Sequence, residues 1–403
     1  MNAANRSVCI LLLAGAVLAG CRDRDKETPL PVTPPPPVTP PPPVTPPVTY
    51  DGARPGTMVQ SEKQKFSVDT VAAGLTSPWG MAFLPDGRIL VTEKAGQLRV
   101  VREGRLQPGS IGGVPAVYTN GQGGLLDIAL HPDYASNGWL YFTYAAPGPG
   151  GGGTTLARAR LQGDALTDVQ TLFQAQPFLP SGVHFGSRIA FDGQGHVFVS
   201  TGDRGTPAQA QQLTNHWGKI MRLRDDGQVP ADNPFAGTAG ARPEIWSYGH
   251  RNVQGLYYDG AARRLWAHEH GPRGGDELNR VEGGKNYGWP LITYGVNYDG
   301  TPVSGATQGP GLEQPVRYWV PSIAPSGLAV VSSPQYPNWQ GNVLVGALVG
   351  THLARVELTD GQYAREEKLL NKIGRVRAVA QGPDGYVYVL TEGPGLLYKL
   401  TPR

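Results

Sequence analysis

Six weak copies of one strand-and-turn pattern constrain the fold of this chain more than any other feature. The two clearest copies, at residues 80–101 and 378–400, place Pro-Asp-Gly between two segments with a two-residue apolar period. Proline fixes φ at one turn position and glycine accepts a positive φ at another, so this tripeptide predicts a β-hairpin. Fainter copies lie at residues 124–145, 187–203, 255–271 and 327–358.

Repeats of this kind, each with about four short strands, are typical of a β-propeller. We therefore predict an all-β fold, a six-bladed β-propeller, for residues 66–403. A β-sandwich with coincidental hairpins is the alternative, although a sandwich rarely contains six comparable units. In a propeller, loops from all units meet on one face, so residues far apart in sequence can form one central pocket.

The amino end has the features of an exported bacterial lipoprotein. One Arg precedes a short apolar stretch, and small residues then lead to Cys21 in the sequence LAGC. The stretch is too short to span a bilayer, so we predict a signal peptide at residues 1–20 and a lipid anchor on Cys21. A plain signal peptide with an incidental Cys is the alternative. Arg22 replaces the Asp associated with inner-membrane retention, which favours the outer membrane and the periplasmic side of the envelope.

Residues 21–65 form the predicted linker, most of which is a proline-rich segment at residues 29–50. Such a segment is extended and semi-rigid. The other Cys, Cys9, lies within the signal peptide, so we predict no disulfide in the mature domain. The net charge is only +3 and no block of Lys and Arg occurs, which argues against nucleic acid as a partner.

Polar residues at the ends of predicted strands mark the expected pocket. His184 precedes one strand and Asp203 closes the next, so a hairpin should bring the two side chains together. A carboxylate fixes the tautomer of an imidazole and stabilises its charged form, which is the usual arrangement of a general base. The alternative is a structural His and a turn Asp. Gln122, flanked by glycines after the first hairpin, adds an amide from another unit.

Three arginines predict an anionic ligand. Arg251 stands beside Asn252 at the start of the fourth unit, and Arg375 and Arg377 are two residues apart, hence on one face of a strand. A guanidinium group matches a carboxylate in its fork geometry. Surface salt bridges are the alternative.

The stretch at residues 268–290 has almost no apolar run, and its many Gly and polar residues predict a loop that binds or solvates. Its oxygen donors suit Ca²⁺, which takes six to eight oxygens of mixed kind. The spacing of its two His does not match a zinc motif. The candidate donors are the side chains of Asp276, Glu277 and Asn286 and the backbone carbonyls around Gly271, Pro272 and Tyr287.

Five blocks of sequence carry a family resemblance: GQGGLLDIALHPDY, GKIMRLRDDGQVPADNPF, GHRNVQGL, EHGPRGGDELN and GKNYGWP. With them, the chain resembles the glucose/sorbosone dehydrogenase family, the soluble aldose sugar dehydrogenases that use pyrroloquinoline quinone (PQQ), over residues 67–400. The resemblance implies a six-bladed propeller with PQQ and Ca²⁺ in its central cleft. It implies oxidation of the C1 hydroxyl of an aldose to the lactone, with electrons passed to an acceptor. The identity of that acceptor and the formation of a homodimer stay open.

The resemblance also implies roles for individual residues. His184 matches the general base that takes the proton of the C1 hydroxyl while hydride passes to C5 of PQQ, and Asp203 matches the acid that orients it. Gln122 matches the amide near the quinone oxygens. Arg251, with Asn252 beside it, matches the Arg that stabilises the reduced C5 oxygen.

Further matched positions concern the PQQ carboxylates and the metal. Arg375 and Arg377 match the pair that holds the carboxylates. The matched metal ligands are the carbonyls of Gly271 and Pro272 for the calcium ion at PQQ, and Glu277 and Tyr287 for a second, structural calcium ion.

The chain departs from the family at two points of the pocket. Val349 stands where the glucose-oxidising members carry a Lys for PQQ. For the aromatic cover of the PQQ plane, Tyr298 is the first candidate and Trp319 the second. The long insertions of the glucose-specific members are absent, which predicts an open site and a broad range of sugars.

Two other functions are kept as alternatives. A calcium-dependent lactonase on a propeller would need acids or amides from several units around an axial metal, and it would give the paired arginines of the last unit no role. A non-catalytic, envelope-tethered binding propeller would give His184 and Asp203 no role.

Overall fold

The computed structural model describes residues 56–403 and the backbone of strand β1 (Val48–Thr49). The predicted signal peptide, Cys21 and the proline-rich repeats before Val48 lie outside the described residues. Within the described part, no helix is long and apolar enough to cross a membrane.

The strands form six sheets. Before the first blade come β2 (Met58–Gln60) and β3 (Lys65–Ala72). Blade one contains β4 (Pro78–Phe83), β5 (Ile89–Glu93), β6 (Gln97–Arg102) and β7 (Arg105–Leu106). Blade two contains β8 (Leu125–Leu130), β9 (Trp139–Gly148), β10 (Gly151–Gln162) and β11 (Ala165–Gln174). Blade three contains β12 (Ile189–Phe191), β13 (His196–Ser200), β14 (Lys219–Arg224) and β15 (Ile245–Tyr248).

Blade four contains β16 (Val253–Asp259), β17 (Arg264–Glu269), β18 (Asp276–Val281) and β19 (Arg317–Trp319). Blade five contains β20 (Pro325–Val330), β21 (Val343–Ala347), β22 (Leu353–Thr359) and β23 (Gln362–Leu369). Blade six contains β24 (Val376–Gln381), β25 (Val387–Thr391) and β26 (Leu396–Pro402). The short helices are α1 (Tyr134–Asn137) and two 3₁₀ turns, Pro207–Gln211 and Pro337–Trp339.

The innermost strands contact each other in a closed ring, in the order β4, β8, β12, β16, β20, β24 and back to β4. The predicted all-β, six-bladed propeller is therefore confirmed. The two Pro-Asp-Gly turns join β4 to β5 and β24 to β25, with Gly87 at φ 86° and Gly385 at φ 80°. These positive φ values are why glycine stands at the end of each turn.

The ring is closed by pairing the two ends of the chain. Strand β3 pairs antiparallel with β26, and β2 pairs with β3, so the sixth sheet has the order β2-β3-β26-β25-β24. Strand β1 adds to the outer edge of blade five, where Val48 and Thr49 pair in parallel with Glu367 and Lys368 of β23. Both β1 and β2 precede residue 66, the predicted start of the domain.

The stretch at residues 268–290 is not the continuous loop that its polar composition predicts, because residues 276–281 form β18. Among its polar residues, Asp276 and Asn279 are buried, Glu277 is half-buried and Arg280 is exposed. Asp276 accepts hydrogen bonds from the backbone N–H groups of Gly271, Ile323 and Ala324 and from the hydroxyl of Ser322. A buried carboxylate with four donors is stable inside a sheet, which a pattern based on apolar residues does not detect.

One side chain, that of Arg188, is buried where the six blades meet; Arg188 precedes β12 and is 5% exposed. Burial lowers the pKa of Arg188 to about 10, so the group stays charged at neutral pH. Its guanidinium group contacts all five other blades. The partners are the ring of Trp79 (3.9 Å), the carboxylate of Asp127 (3.2 Å), the carbonyls of Gln254 (2.7 Å) and Arg377 (2.8 Å), and the hydroxyl of Ser326 (3.3 Å).

We expect Arg188→Met to lower the free energy of unfolding by roughly 3–5 kcal/mol, because the substitution leaves the buried carboxylate of Asp127 without its cation. Urea and thermal denaturation followed by circular dichroism would measure the change. Arg105→Met, on the exposed strand β7, is the control and should leave both midpoints nearly unchanged. Equal stability of the two variants would show that the ring does not depend on Arg188.

Candidate active site

A cavity of about 220 Å³ lies at the centre of the ring and takes residues from all six blades. Three cations, Lys94, Arg375 and Arg377, face one carboxylate, Glu392, so the cavity favours an anionic ligand. The other lining residues are Trp79, Gln122, Leu126, Phe185, Gly186, Asn252, Gln254, His270, Ala324 and Leu348.

His184 and Asp203 form a hydrogen-bonded pair beside this cavity. The Nδ1 atom of His184 lies 2.6 Å from Oδ1 of Asp203, which also accepts the backbone N–H of Gly205 at 2.8 Å. His184 is half-buried, and the next two residues, Phe185 and Gly186, belong to the cavity wall. With Nδ1 bound to the acid, the Nε2 atom is the one left to exchange a proton with a ligand.

The electrostatics keep Asp203 ionised. Burial alone raises the pKa of its carboxyl, but the hydrogen bond and charge of His184, the N–H of Gly205 and the charge of Arg251 together outweigh burial. The net pKa therefore lies below the ordinary value of an aspartic acid. An ionised acid can accept the Nδ1 proton of His184 throughout the neutral range.

His184 has the left-handed φ of 53°, which is uncommon for a residue with a side chain. Its backbone N–H donates to Oε1 of Gln122 at 2.8 Å. Arg204 holds the residues before it, since its guanidinium group donates to the carbonyls of Val183 at 2.9 Å and of Ser181. Strain of this kind persists only where the surroundings enforce it, and it concentrates at functional sites.

The last-blade arginines are bound to one acid. Arg375 and Arg377 both donate to Oε2 of Glu392, at 3.3 and 3.0 Å. Arg377 is buried, with Nη1 bonded to the side chain of Gln254 at 3.1 Å, whereas its Nε atom has no partner within the described residues. Burial lowers the pKa of Arg377, and Glu392 opposes the change.

Arg251 and Asn252 lie between β15 and β16. Asn252 lines the central cavity and accepts the N–H of Gly186 at 3.1 Å. Arg251 instead lines a small neighbouring cavity of about 10 Å³. Its Nη1 atom donates to the carbonyl of Gly271 at 2.7 Å, so that carbonyl, a predicted calcium ligand, already has one partner.

The small cavity is lined by three of the predicted metal ligands, Gly271, Glu277 and Tyr287, together with Glu269. Burial and the neighbouring charges of Glu269 and Asp276 raise the pKa of Glu277 to about 8. The Oδ1 atom of Asn279, which is hydrogen-bonded through its amide to Glu277, has no donor in the described part of the chain. No group of three or more His, Cys, Asp and Glu side chains among the described residues is arranged to hold a metal.

The structure does not bring the predicted stacking residues to the central cavity. Tyr298 is 74% exposed, in the segment between β18 and β19. Trp319 lies in the outermost strand of blade four, where its indole N–H donates to Glu366 of blade five. Trp79 and Phe185 are the aromatic side chains of the wall, and Val349 is 64% exposed next to the lining residue Leu348.

Sequence reasoning did not identify four residues of the site: Trp79, Lys94, Arg204 and Trp289. The indole N–H of Trp289 donates to Oδ2 of Asp203 at 2.8 Å. Trp289 belongs to the block GKNYGWP that was singled out for other reasons, so its position could have suggested a role. Arg204 directly follows Asp203, a predicted site residue, so its position was a similar signal, whereas Trp79 and Lys94 carry none.

A buried Ser–His–Glu relay near the site is structural. Ser247 Oγ lies 2.9 Å from Nε2 of His250, and Nδ1 of His250 lies 2.8 Å from Glu269. The Ser and His side chains have no exposed surface, so this serine cannot meet a substrate. Its role is to hold Glu269, which accepts the N–H of Arg251 at 2.5 Å.

Comparison with known proteins identifies the family. The model of the family described as glucose/sorbosone dehydrogenase matches residues 75–399. The aldose sugar dehydrogenase YliI of Escherichia coli is 43% identical, over 84% of this chain and 93% of that protein.

Two solved structures resemble the whole propeller. The apo-form of the soluble aldose sugar dehydrogenase from Escherichia coli has a TM-score of 0.81 and 41% identity, covering 84% of this chain and 100% of that chain. The PQQ-bound form of the aldose sugar dehydrogenase from Streptomyces coelicolor has a TM-score of 0.69 and 32% identity, covering 85% and 100%. The predicted family, and with it the predicted class of enzyme, an oxidoreductase, are confirmed. The chain belongs to the glucose/sorbosone dehydrogenase family.

Proposed function

We propose that this protein is a PQQ- and calcium-dependent dehydrogenase that oxidises the C1 hydroxyl of aldose sugars to lactones. The observation that carries the proposal is the His184–Asp203 pair, held beside a cationic cavity on the axis of the ring. A base and an anion-binding pocket are the two parts that such an oxidation requires of the protein.

The cavity fits a flat molecule with several carboxylates. Lys94, Arg375 and Arg377 supply positive charge. Trp79 supplies an aromatic surface in the wall. A relative of this chain, the Streptomyces coelicolor enzyme, binds PQQ. When bound here, PQQ would supply the acceptor for the hydride that leaves C1 of the sugar.

His184 would act as the general base. Its Nε2 atom takes the proton of the C1 hydroxyl, while Nδ1 keeps its own proton in the hydrogen bond to Asp203. The ionised Asp203 stabilises the imidazolium that results, because the two groups are 2.6 Å apart in a largely buried place. Asp203 fixes the direction of the ring, and Gln122 and Arg204 hold the backbone at and before His184, so little reorganisation accompanies the transfer.

Calcium fits the oxygen-rich stretch around β18. The carbonyls of Gly271 and Pro272 would hold an ion next to PQQ, and Glu277 with the carbonyl of Tyr287 would hold a second one. The support is the chemistry of the buried acids: Glu277 lies beside Glu269 with its pKa raised to about 8, an arrangement that a cation would relieve. A calcium ion binds and neutralises charge in this role.

The alternatives lack a specific supporting observation. A propeller lactonase needs acids or amides around an axial metal, whereas the axis holds the guanidinium group of Arg188. A binding propeller gives no reason for the strained His184 and its ionised partner. We further propose that Cys21 carries a lipid anchor and that the chain between Cys21 and β1 holds the enzyme at the outer membrane, facing the periplasm.

The first prediction concerns His184. Purified protein should gain dye-linked aldose oxidation when PQQ and Ca²⁺ are added, and EDTA should prevent the gain. His184→Ala should lower kcat roughly 100- to 10,000-fold, the usual contribution of a general base. The Kd of PQQ, measured by quenching of tryptophan fluorescence, should change little.

His196→Ala is the matched control, because His196 also pairs with an Asp, at 2.8 Å, but away from the cavity. This variant should keep the activity of the unsubstituted protein. Full activity of His184→Ala would remove the base from the mechanism. Failure of every aldose with the loaded protein would reject the proposed function, and a spectrum without bound quinone would favour the lactonase or the binding propeller.

The second prediction concerns PQQ affinity. Arg377→Gln should raise the Kd of PQQ about 10- to 100-fold, since a charge-assisted hydrogen bond contributes about 1.5–3 kcal/mol. Isothermal titration calorimetry measures this without any turnover. Arg317→Gln is the control, because Arg317 also pairs with a Glu, at 3.1 Å, but on the outermost strand of blade four. If both variants bind PQQ like the unsubstituted protein, the cationic cavity is not the carboxylate site.

A further inference from the structure

We propose that Trp289 is a positioning residue for the His184–Asp203 pair. Its indole N–H donates to Oδ2 of Asp203 at 2.8 Å, and its side chain is almost fully buried. This inference rests on the proposed function, in which His184 is the base. It concerns how the protein fixes the orientation of the His184 imidazole.

The two oxygens of Asp203 have different partners. Oδ1 accepts from Nδ1 of His184 and from the N–H of Gly205, whereas Oδ2 accepts from Trp289. No other donor to Oδ2 occurs among the described residues. Asp203 itself has no exposed surface, so water cannot replace the indole. With donors on both oxygens, the plane of the carboxylate is fixed, and with it the direction of the imidazole.

Trp289 is itself held firmly by its backbone. Its N–H donates to the carbonyl of Gly249 at 2.8 Å, and its own carbonyl accepts the side-chain amide of Gln211 at 2.7 Å. Gln211 in turn exchanges two hydrogen bonds with the side chain of Asn286, at 3.0 and 2.8 Å. The 3₁₀ turn that ends at Gln211 follows Asp203 in blade three, so the tryptophan is fixed relative to the acid.

The ionisable groups around Asp203 are bases. They are Arg251, whose guanidinium group stands 5.3 Å from the ring of Trp289, Arg204, His184, and Lys219, whose pKa burial lowers to about 7. The indole is the neutral donor in this group. A change of Trp289 to Phe therefore removes one hydrogen bond and keeps an aromatic ring and every charge, which makes the substitution a clean test.

Trp289→Phe should lower kcat roughly tenfold and leave the KM for the sugar and the Kd of PQQ within about twofold. With one donor fewer, Asp203 attracts the imidazolium form of His184 more strongly. The neutral base then exists only at higher pH, so the acidic limb of the profile of kcat/KM against pH should move upward. A purely structural residue would lower stability without moving this limb.

Trp217→Phe is the matched control. Trp217 is also a buried tryptophan, and its indole N–H donates to the carbonyl of Pro177 at 3.1 Å, away from the pair. This variant should keep the kcat and the pH profile of the unsubstituted protein. Equal kcat and equal pH profiles for Trp289→Phe and Trp217→Phe would overturn the proposal.

Nuclear magnetic resonance of the ¹⁵N-labelled protein without PQQ or sugar separates this inference from the proposed function. The His184 imidazole resonances should titrate at higher pH in Trp289→Phe than in Trp217→Phe, and an unchanged titration would overturn the inference even if the enzyme oxidises sugars. If Trp289→Phe does not fold, Asp203→Asn serves instead. It should shift the indole N–H resonance of Trp289 and leave that of Trp217 in place, and an unshifted Trp289 resonance would also overturn the inference.

Discussion

The guanidinium group of Arg188 is the interaction on which the rest of the ring depends. Apolar packing in a propeller joins each blade only to its neighbours, whereas this one buried cation contacts the five blades other than its own. The same group organises the site above it. It binds the backbone of Gln254 and Arg377, whose side chains bond to each other in the cavity wall at 3.1 Å. The guanidinium group of Arg188 therefore contributes both to the stability of the ring and to the arrangement of the cavity wall.

Several neighbouring loops together hold His184, the proposed general base. Gln122 and Arg204 fix the strained backbone of His184 from two directions, and Trp289 approaches its acid from blade four. Such a residue is kept in an unfavourable conformation only when several independent contacts enforce it. Because several contacts stabilise the left-handed conformation of His184, a single substitution removes only part of that stabilisation.

The fold could be predicted from the sequence because Pro-Asp-Gly turns and alternating strands are local features. The family followed from blocks of residues in a fixed order. Strand β18 was missed, because the buried carboxylate of its Asp276 is satisfied by distant donors that no local pattern contains. Residue types also do not tell how exposed an aromatic side chain is, and Tyr298, the first candidate for stacking, is largely exposed. Contacts across blades, such as those of Arg204 and Trp289, require the three-dimensional arrangement.

Closure of the ring requires β26, which is synthesised long after its partner β3. Asp69 and Thr401 meet through a side-chain hydrogen bond across 332 positions of sequence, within the sheet that β3 and β26 complete together. Until β26 has been synthesised, one edge of β3 pairs with β2 while the other edge has no partner strand, and the ring stays open. Contacts so distant in sequence slow folding. A chaperone that covers the unpaired edge of β3 would therefore oppose aggregation until β26 closes the ring.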